Sequence, residues 1–213
     1  MGYEVETTTY PIGADDYHIR SLLDRQQYWD PDGHAERAGI SSASWPLFGV
    51  VWPAGLALAD EMSRFAVAGK TILEVGCGLG LSSLVLQRRG ADVTATDHHP
   101  LAEEFLRFNA ALNDLAPVPF QRASWAGHNP DLGRFDLIIG SDLLYERGQP
   151  SELACFLARH ANPTAEILVA DPGRGQCARF NAEMLADGYD RGELRRPFPG
   201  SASKSGRIMT FAR

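Results

Sequence analysis

Thr71-Ile72-Leu73-Glu74-Val75-Gly76-Cys77-Gly78-Leu79-Gly80 is the stretch whose reading decides the fold. A short apolar run ends at three closely spaced glycines, and helical spacing takes over from Leu81. A buried strand that leaves through a glycine turn and opens a helix presents bare backbone to a ligand. A second apolar run, 93–96, ends at Asp97. A carboxylate one strand on from such a turn is placed to hold a ribose diol. Together the two features point to an adenosine-containing cofactor.

The choice of cofactor rests on detail. The dinucleotide fingerprint is G-x-G-x-x-G, and here the final glycine position holds Leu81. Glu74, two residues before the first glycine, can reach an ammonium group directly or through water. The methionine part of S-adenosylmethionine carries such a group and a dinucleotide does not. A hydride-transfer enzyme usually has a second, substrate-binding domain, for which the chain is too short. Plainer readings compete at each position: a simple strand-to-helix turn, a helix-capping Glu74, a turn-forming Asp97.

Outward from the turn, helical and strand patterns alternate from residue 53 to the end. Pro53 suits a first helical turn, and Leu58, Met62 and Phe65 then share a face. The helix after Gly80 carries Leu81, Leu84 and Val85, with Arg88 and Arg89 near its negative end and Gly90 as its stop. Strands are expected over 92–96, 118–121, 135–140 and 166–170. Helices are marked by Leu101, Phe105, Phe108 and Leu112, by Leu153, Phe156 and Leu157, and by Cys177, Phe180, Met184 and Leu185. Runs such as Leu137-Ile138-Ile139 and Ile167-Leu168-Val169 do not alternate, which is what a parallel sheet covered on both faces requires. The architecture is therefore α/β and doubly wound. After Tyr189 no length remains for a crossover helix, so the runs 192–198 and 207–211 form an antiparallel hairpin, with a turn over 199–206. Before residue 53 the pattern is weaker. Strands are expected over 3–10 and 19–23, then a polar, turn-rich segment over 30–44, together a partly mobile N-terminal cap.

The bulk numbers set limits. At 213 residues the chain suits one domain with a large core. A formal net charge of −7 argues against non-specific nucleic-acid binding. Cys77, Cys155 and Cys177 are widely spaced and form neither a disulfide framework nor a zinc site. His98 and His99 are adjacent on a strand end, point apart, and make a poor metal pair. No apolar stretch approaches the ~20 residues of a membrane span, and no signal segment opens the chain. The expectation is a cytoplasmic protein with no metal, no membrane association and no nucleic-acid partner, acting as a monomer.

Beyond these physical readings, six segments carry a resemblance. Glu74 to Gly80, Asp97, Ser124-Trp125 and Ser141-Asp142-Leu143-Leu144-Tyr145 resemble the seven-β-strand class I methyltransferases, and more narrowly methyltransferase family 16, which holds many protein-lysine methyltransferases. Val51-Trp52-Pro53-Ala54-Gly55 is similar to that family's Trp-Pro lead into its first core helix. Asp171-Pro172-Gly173-Arg174 is similar to a segment of the electron-transfer-flavoprotein β-subunit lysine methyltransferases. The resemblance covers residues 47–213, which makes these the methyltransferase domain and 1–46 an N-terminal extension. It implies a Rossmann-like, mostly parallel seven-stranded sheet with the C-terminal hairpin, S-adenosylmethionine as methyl donor, and S-adenosylhomocysteine as product.

The resemblance also implies roles. Glu74, Gly76 and Gly78, in one turn with Cys77 and Gly80, line the donor's methionine end, and Ser141 touches it by backbone. Asp97 takes the ribose hydroxyls, Ser124 meets the adenine edge, Trp125 covers its face, and Trp52 closes over the donor. Asp142 and Tyr145 flank the acceptor as the catalytic pair. The implied partner is a protein carrying the target lysine. A small metabolite amine or ring nitrogen is the alternative acceptor, and a non-catalytic donor-binding module the alternative function. Structural readings remain beside these: core packing for Trp52 and Trp125, a capped turn for Asp142 and Tyr145, and, for Asp171 and Arg174, an ion pair with each other or with the terminal hairpin.

Overall fold

The computed structural model describes residues 2–146, 148–195, 198 and 206–213. In chain order the elements are β1 (Val5–Ile12), β2 (Asp15–Leu22), α1 (His34–Arg37), a 3₁₀ turn (Trp45–Gly49), α2 (Pro53–Met62), β3 (Thr71–Val75), α3 (Leu81–Arg88), β4 (Asp92–Asp97), α4 (Ala102–Leu112), β5 (Phe120–Arg122), β6 (Phe135–Ser141), α5 (Gln149–His160), β7 (Ala161–Asp171), α6 (Cys177–Ala186), β8 (Asp190–Arg195) and β9 (Arg207–Ala212).

Among the described residues, seven strands form one sheet in the order β5-β4-β3-β6-β7-β9-β8. β3 pairs in parallel with β4 on one side and with β6 on the other, Leu73 lying opposite both Thr94 and Ile138. The winding therefore reverses at β3, and the carboxyl ends of β3, β4 and β6 border the crevice where such sheets bind ligands. β9 runs antiparallel to β8, the hairpin that the terminal runs predict, and antiparallel to β7, which leaves β8 parallel to the central strands. Within the expected hairpin, Arg196, Pro197 and the turn from Pro199 to Ser205 lie outside the described residues.

The unalternating apolar runs are explained by two cores. Ile72, Leu137, Ile139 and Leu168 join one cluster with Leu58, Leu84 and Phe105. Leu73, Ile138, Ile167 and Val169 join the other with Phe156, Phe180 and Phe211. Successive strand residues thus serve opposite faces, both covered by helices. Fully burying one such aliphatic side chain stabilises the fold by roughly 1.5–3 kcal/mol, so a polar residue at Ile138 would break the sheet's central layer.

Three expectations about helix faces need correction. α2 ends at Met62, so Phe65 packs from the following turn. Leu185 is exposed on α6. On α4 the buried residues are Ala102, Phe105, Leu106, Asn109 and Ala110, whereas Phe108 is 44% exposed and Leu112 sits at the surface. That rotation has a cause. Asn109 and Asn113 face inward and bond the N-terminal hairpin: His18 and Arg20 of β2 each give their amide to one asparagine, both at 2.8 Å. The Arg20 guanidinium then covers Phe108 at 4.5 Å from its ring centre.

The segment before residue 53 is a built part of the fold. β1 and β2 pair antiparallel from Val5↔Leu22 to Ile12↔Asp15, and Tyr17 and Ile19 are buried. Trp45 is buried at the head of the 3₁₀ turn and meets Phe48 edge-on. This aromatic group carries the N-terminal region onto the glycine turn of the central sheet.

Candidate active site

β3 is buried between two helical layers, so the chain can turn only at the sheet's edge, through Gly76, Gly78 and Gly80. Gly78 shows why no other residue serves. Its φ is +52°, and a Cβ there would lie 2.7 Å from the Phe48 carbonyl oxygen, a backbone atom. The 3₁₀ turn thus closes directly on the glycine loop.

Glu74, at the loop's base, is buried. Its Oε2 accepts the Ser83 amide at 2.9 Å and the Ser83 hydroxyl, which caps the first turn of α3 from the neighbouring strand. Burial pushes its carboxyl up to about 7; the Ser83 hydrogen bonds oppose this and the nearby Asp97 charge adds to it. Asp97 is also buried. Its Oδ2 accepts the Gly78 amide and its Oδ1 the His99 amide, both at 2.8 Å, so one side chain sets the curvature of the glycine loop and of its own turn. Burial, with the charges of Asp97 and Glu74, raises the Cys77 thiol well above its usual range. It stays protonated and is no nucleophile.

Past β4, His99 stacks on Phe48 with ring centres 3.7 Å apart. Burial drives it down to about 3, so it is neutral. Its Nδ1 accepts the Leu101 amide at 3.2 Å, which leaves the proton on a buried Nε2 with no partner among the described residues. His98 is half exposed, and its Nδ1 lies 3.5 Å from Asp97 Oδ1. No cluster of His, Cys, Asp and Glu among the described residues suits a metal ion. After β5, Ser124 is exposed and Trp125 half-buried. The Trp125 ring comes within 3.9 Å of where a Gly76 Cβ would stand. Trp52 caps α2 and donates its Nε1–H to the Leu47 carbonyl at 2.9 Å.

The far wall comes from β6. Ser141 ends the strand, and Asp142 follows with φ +57°, a conformation few residues other than glycine adopt and which Asp tolerates better than most. The Asp142 amide donates to the Ala170 carbonyl at 2.8 Å, and its Oδ1 accepts Nε–H of Arg174 at 2.5 Å. The side chain is thereby held at the carboxyl edge. Tyr145 is 40% exposed, and its amide donates to Gln149 Oε1 at 2.9 Å. Burial of its hydroxyl is the main cause of an upward shift from the usual tyrosine value.

All twelve residues singled out in the sequence, from Trp52 to Tyr145, line one cavity of about 560 Å³. Among the described residues its carboxylates are Glu74, Asp97, Asp142, Glu146 and Glu152, and its guanidinium is that of Arg174, which Asp142 engages. Such a wall suits a cationic ligand, and among the described residues it offers a pyrophosphate no unengaged Lys or Arg. A bare glycine cradle, a buried acid beside it and a half-buried indole over it fit S-adenosylmethionine, a sulfonium with an ammonium group and an adenosine.

The structure corrects one pairing. Among the described residues the Arg174 guanidinium bonds neither the Asp171 side chain nor the terminal hairpin; it reaches Asp142. Asp171 accepts the Gly173 and Arg174 amides, both at 2.7 Å, and the Cys177 thiol at 2.9 Å. The Arg174 contact, the Gln149 support under Tyr145 and the Phe48–His99 wall escape a reading of the sequence. Only strand adjacency could have suggested the first, since β6 and β7 end side by side.

The strand order, the reversal at β3 and the glycine turn above it are those of Rossmann-like class I methyltransferases. The ribosomal protein L11 methylase of Lactobacillus delbrueckii subsp. bulgaricus has the same fold, with a TM-score of 0.59 over 73% of this chain and 76% of that one, at 23% identity. A family model described as lysine methyltransferase matches residues 43–182, and the chain belongs to that family. It is 30% identical over 175 residues to the electron transfer flavoprotein beta subunit lysine methyltransferase of Mus musculus, covering 80% of this chain and 66% of the relative. It is 39% identical over 118 residues to the protein N-lysine methyltransferase METTL21A of Danio rerio, covering 49% of this chain and 52% of the relative. The chain thus spans between about half and two thirds of the length of these two relatives.

Proposed function

We propose that this chain transfers a methyl group from S-adenosylmethionine to the side-chain amine of a lysine in a protein. The observation that carries the reading is the position of Asp142. It is a buried carboxylate, fixed by its own backbone at the edge of an acid-lined cavity that the glycine turn of the neighbouring strand also lines. When bound, S-adenosylmethionine supplies a methyl group already activated on a sulfonium.

The protein's work is placement and charge. Glu74 and the glycine turn hold the methionine end, with Ser141 beside them. Asp97 holds the ribose. Ser124 and Trp125 take the adenine, and Trp52 closes the cavity. Asp142 accepts N–H bonds from the amine and aims its lone pair, and Tyr145 walls the alkyl chain and adds a hydroxyl contact. A cation beside the amine, together with partial desolvation, favours its neutral form, the form that attacks. As positive charge develops on nitrogen, the fixed Asp142 carboxylate stabilises it.

Both relatives described above are named as lysine methyltransferases, which supports a protein acceptor. The same reading has residues 1–46 as a cap on a methyltransferase domain of 47–213, working as a monomer in the cytoplasm without metal, nucleic acid or membrane. No described helix is long and apolar enough to cross a membrane. Incubating the chain with isotopically labelled donor and a cell lysate tests the acceptor. Label in a discrete protein band, on lysine after hydrolysis, supports the reading; label confined to small molecules turns it to a metabolite amine.

A further inference from the structure

The geometry points to Arg174 as a stand-in for the acceptor's own cation, so that the site admits acceptors that arrive as alkylammonium ions, which give a proton to solvent before attack, and resists nitrogens that carry no charge in water. The inference rests on the methyl-transfer reading of the cavity and deepens it by naming the chemical class of acceptor and a positioning residue that selects it.

Asp142 is only 8% exposed. An ionised carboxylate so buried is costly unless a cation or several donors meet it. Arg174 supplies that cation through Nε at 2.5 Å. The hold on Arg174 itself is lopsided. Its backbone is fixed by Asp171, but its side chain is 38% exposed. The guanidinium can therefore leave Asp142 for water without a large change in its own solvation, whereas Asp142 cannot be left alone.

The Asp142–Arg174 pair also stands between two cavities. On one side is the large cavity with the glycine turn. On the other is a second cavity of about 370 Å³, walled by Val51, Trp52, Pro53, Leu56 and Pro172, with Arg25 also on its lining. Asp142, Arg174 and Trp52 belong to both. Its apolar side chains suit a butyl chain, and Asp142 is the lining carboxylate that an ammonium tip could meet. For that tip to reach Asp142, the guanidinium must move aside. Exchanging one cation for another keeps the local charge constant and never strands the carboxylate. A neutral amide or ring nitrogen would have to break a charge-assisted hydrogen bond and give back less. A compact ammonium and a planar guanidinium also differ in shape, so the exchange replaces a fork-shaped partner by a point charge.

The test uses the full chain with n-butylammonium as the lysine mimic and n-butanol as its neutral counterpart. The readout is the nitrogen–proton NMR signal of the Arg174 Nε–H, assigned by its loss in Arg174→Gln. Saturable movement of that signal toward the free-arginine position with n-butylammonium, and none with n-butanol, is expected. Arg174→Gln should bind n-butylammonium about ten-fold more tightly, since the competing cation is gone, and Arg174→Lys should return the affinity toward native. An Arg174 signal that stays fixed up to the solubility limit of n-butylammonium overturns the proposal, as does equal affinity in native protein and Arg174→Gln. If Arg174→Gln folds poorly, Arg174→Lys supplies the same assignment by loss of the signal, and the native titration then decides the question. S-adenosylhomocysteine is titrated separately. Its failure to bind would remove the methyl-transfer reading, while the cation exchange on Asp142 would still be read directly.

Discussion

Asn109 acts toward Arg20 as a neighbouring strand would. Its Oδ1 accepts the Arg20 amide at 2.8 Å and its Nδ2 donates to the Arg20 carbonyl at 3.3 Å, while Nδ2 also reaches the Leu79 carbonyl at 3.2 Å. One turn on, Asn113 repeats the arrangement with His18, at 2.8 and 2.7 Å. Two side chains on a helix thus satisfy one edge of β2, and the contact to Leu79 ties the same helix to the glycine turn. Asn109→Ala strands buried backbone groups that cost roughly 1–3 kcal/mol each. The variant should lose about 2–4 kcal/mol in urea unfolding and bind donor more weakly. Native stability would show that the ladder is dispensable.

Glu74 gives a pH dependence of definite sign. Its carboxyl is raised from the model-compound value of 4.5 to about 7 in the fold, first by burial. The native state therefore favours the protonated form. The stability that this contributes is full below about 4.5 and is lost as pH rises through about 7. A cationic donor beside Glu74 reverses the preference and favours the carboxylate. Donor binding near neutrality should release a proton and tighten as pH rises through about 7. Calorimetry in two buffers of different ionisation enthalpy measures the proton count. Glu74→Gln should abolish the release, and unchanged proton release in that variant would remove Glu74 from the account.

Asp97 has two duties that separate by substitution. Both its oxygens hold backbone amides, at Gly78 and His99. Asp97→Asn keeps one acceptor and removes the charge. We expect donor affinity to fall about ten-fold with a modest loss of stability, and Asp97→Ala to lose about 1–3 kcal/mol of stability as well. Donor affinity unchanged in Asp97→Ala would show that the ribose is held elsewhere.

Asp142 needs a variant that respects its backbone. Because φ is +57°, Asn is a better probe than Ala, being a residue that tolerates this region. Asp142→Asn should leave donor affinity within a few-fold and lower the rate of methyl transfer at least a hundred-fold, the scale expected when a transition-state charge partner is lost. Transfer at the native rate would refute the assigned role.

What the sequence made legible follows from range. β3, its glycine turn and α3 are contiguous, and local spacing specifies them. The buried strands were visible because both faces are covered and every position is apolar, as at Leu137-Ile138-Ile139. The twelve candidate site residues converge because each sits just past or within the ends of elements whose sheet order follows from a doubly wound pattern. The face of α4 was not legible, since Asn109 and Asn113 count as polar until β2 supplies their partners. The Asp142–Arg174 pair spans 32 residues and two loops, and nothing local to either residue announces it. The N-terminal hairpin was seen only in outline because the polar side chains of β1 hide its pairing.

The central claim is that the cavity above Gly76 takes a methyl donor. Titrating the purified chain with S-adenosylhomocysteine and, separately, with NADH by isothermal calorimetry tests it most directly. The account predicts saturable one-to-one heat with the first and none with the second. Tight NADH binding beside a flat S-adenosylhomocysteine trace would contradict it.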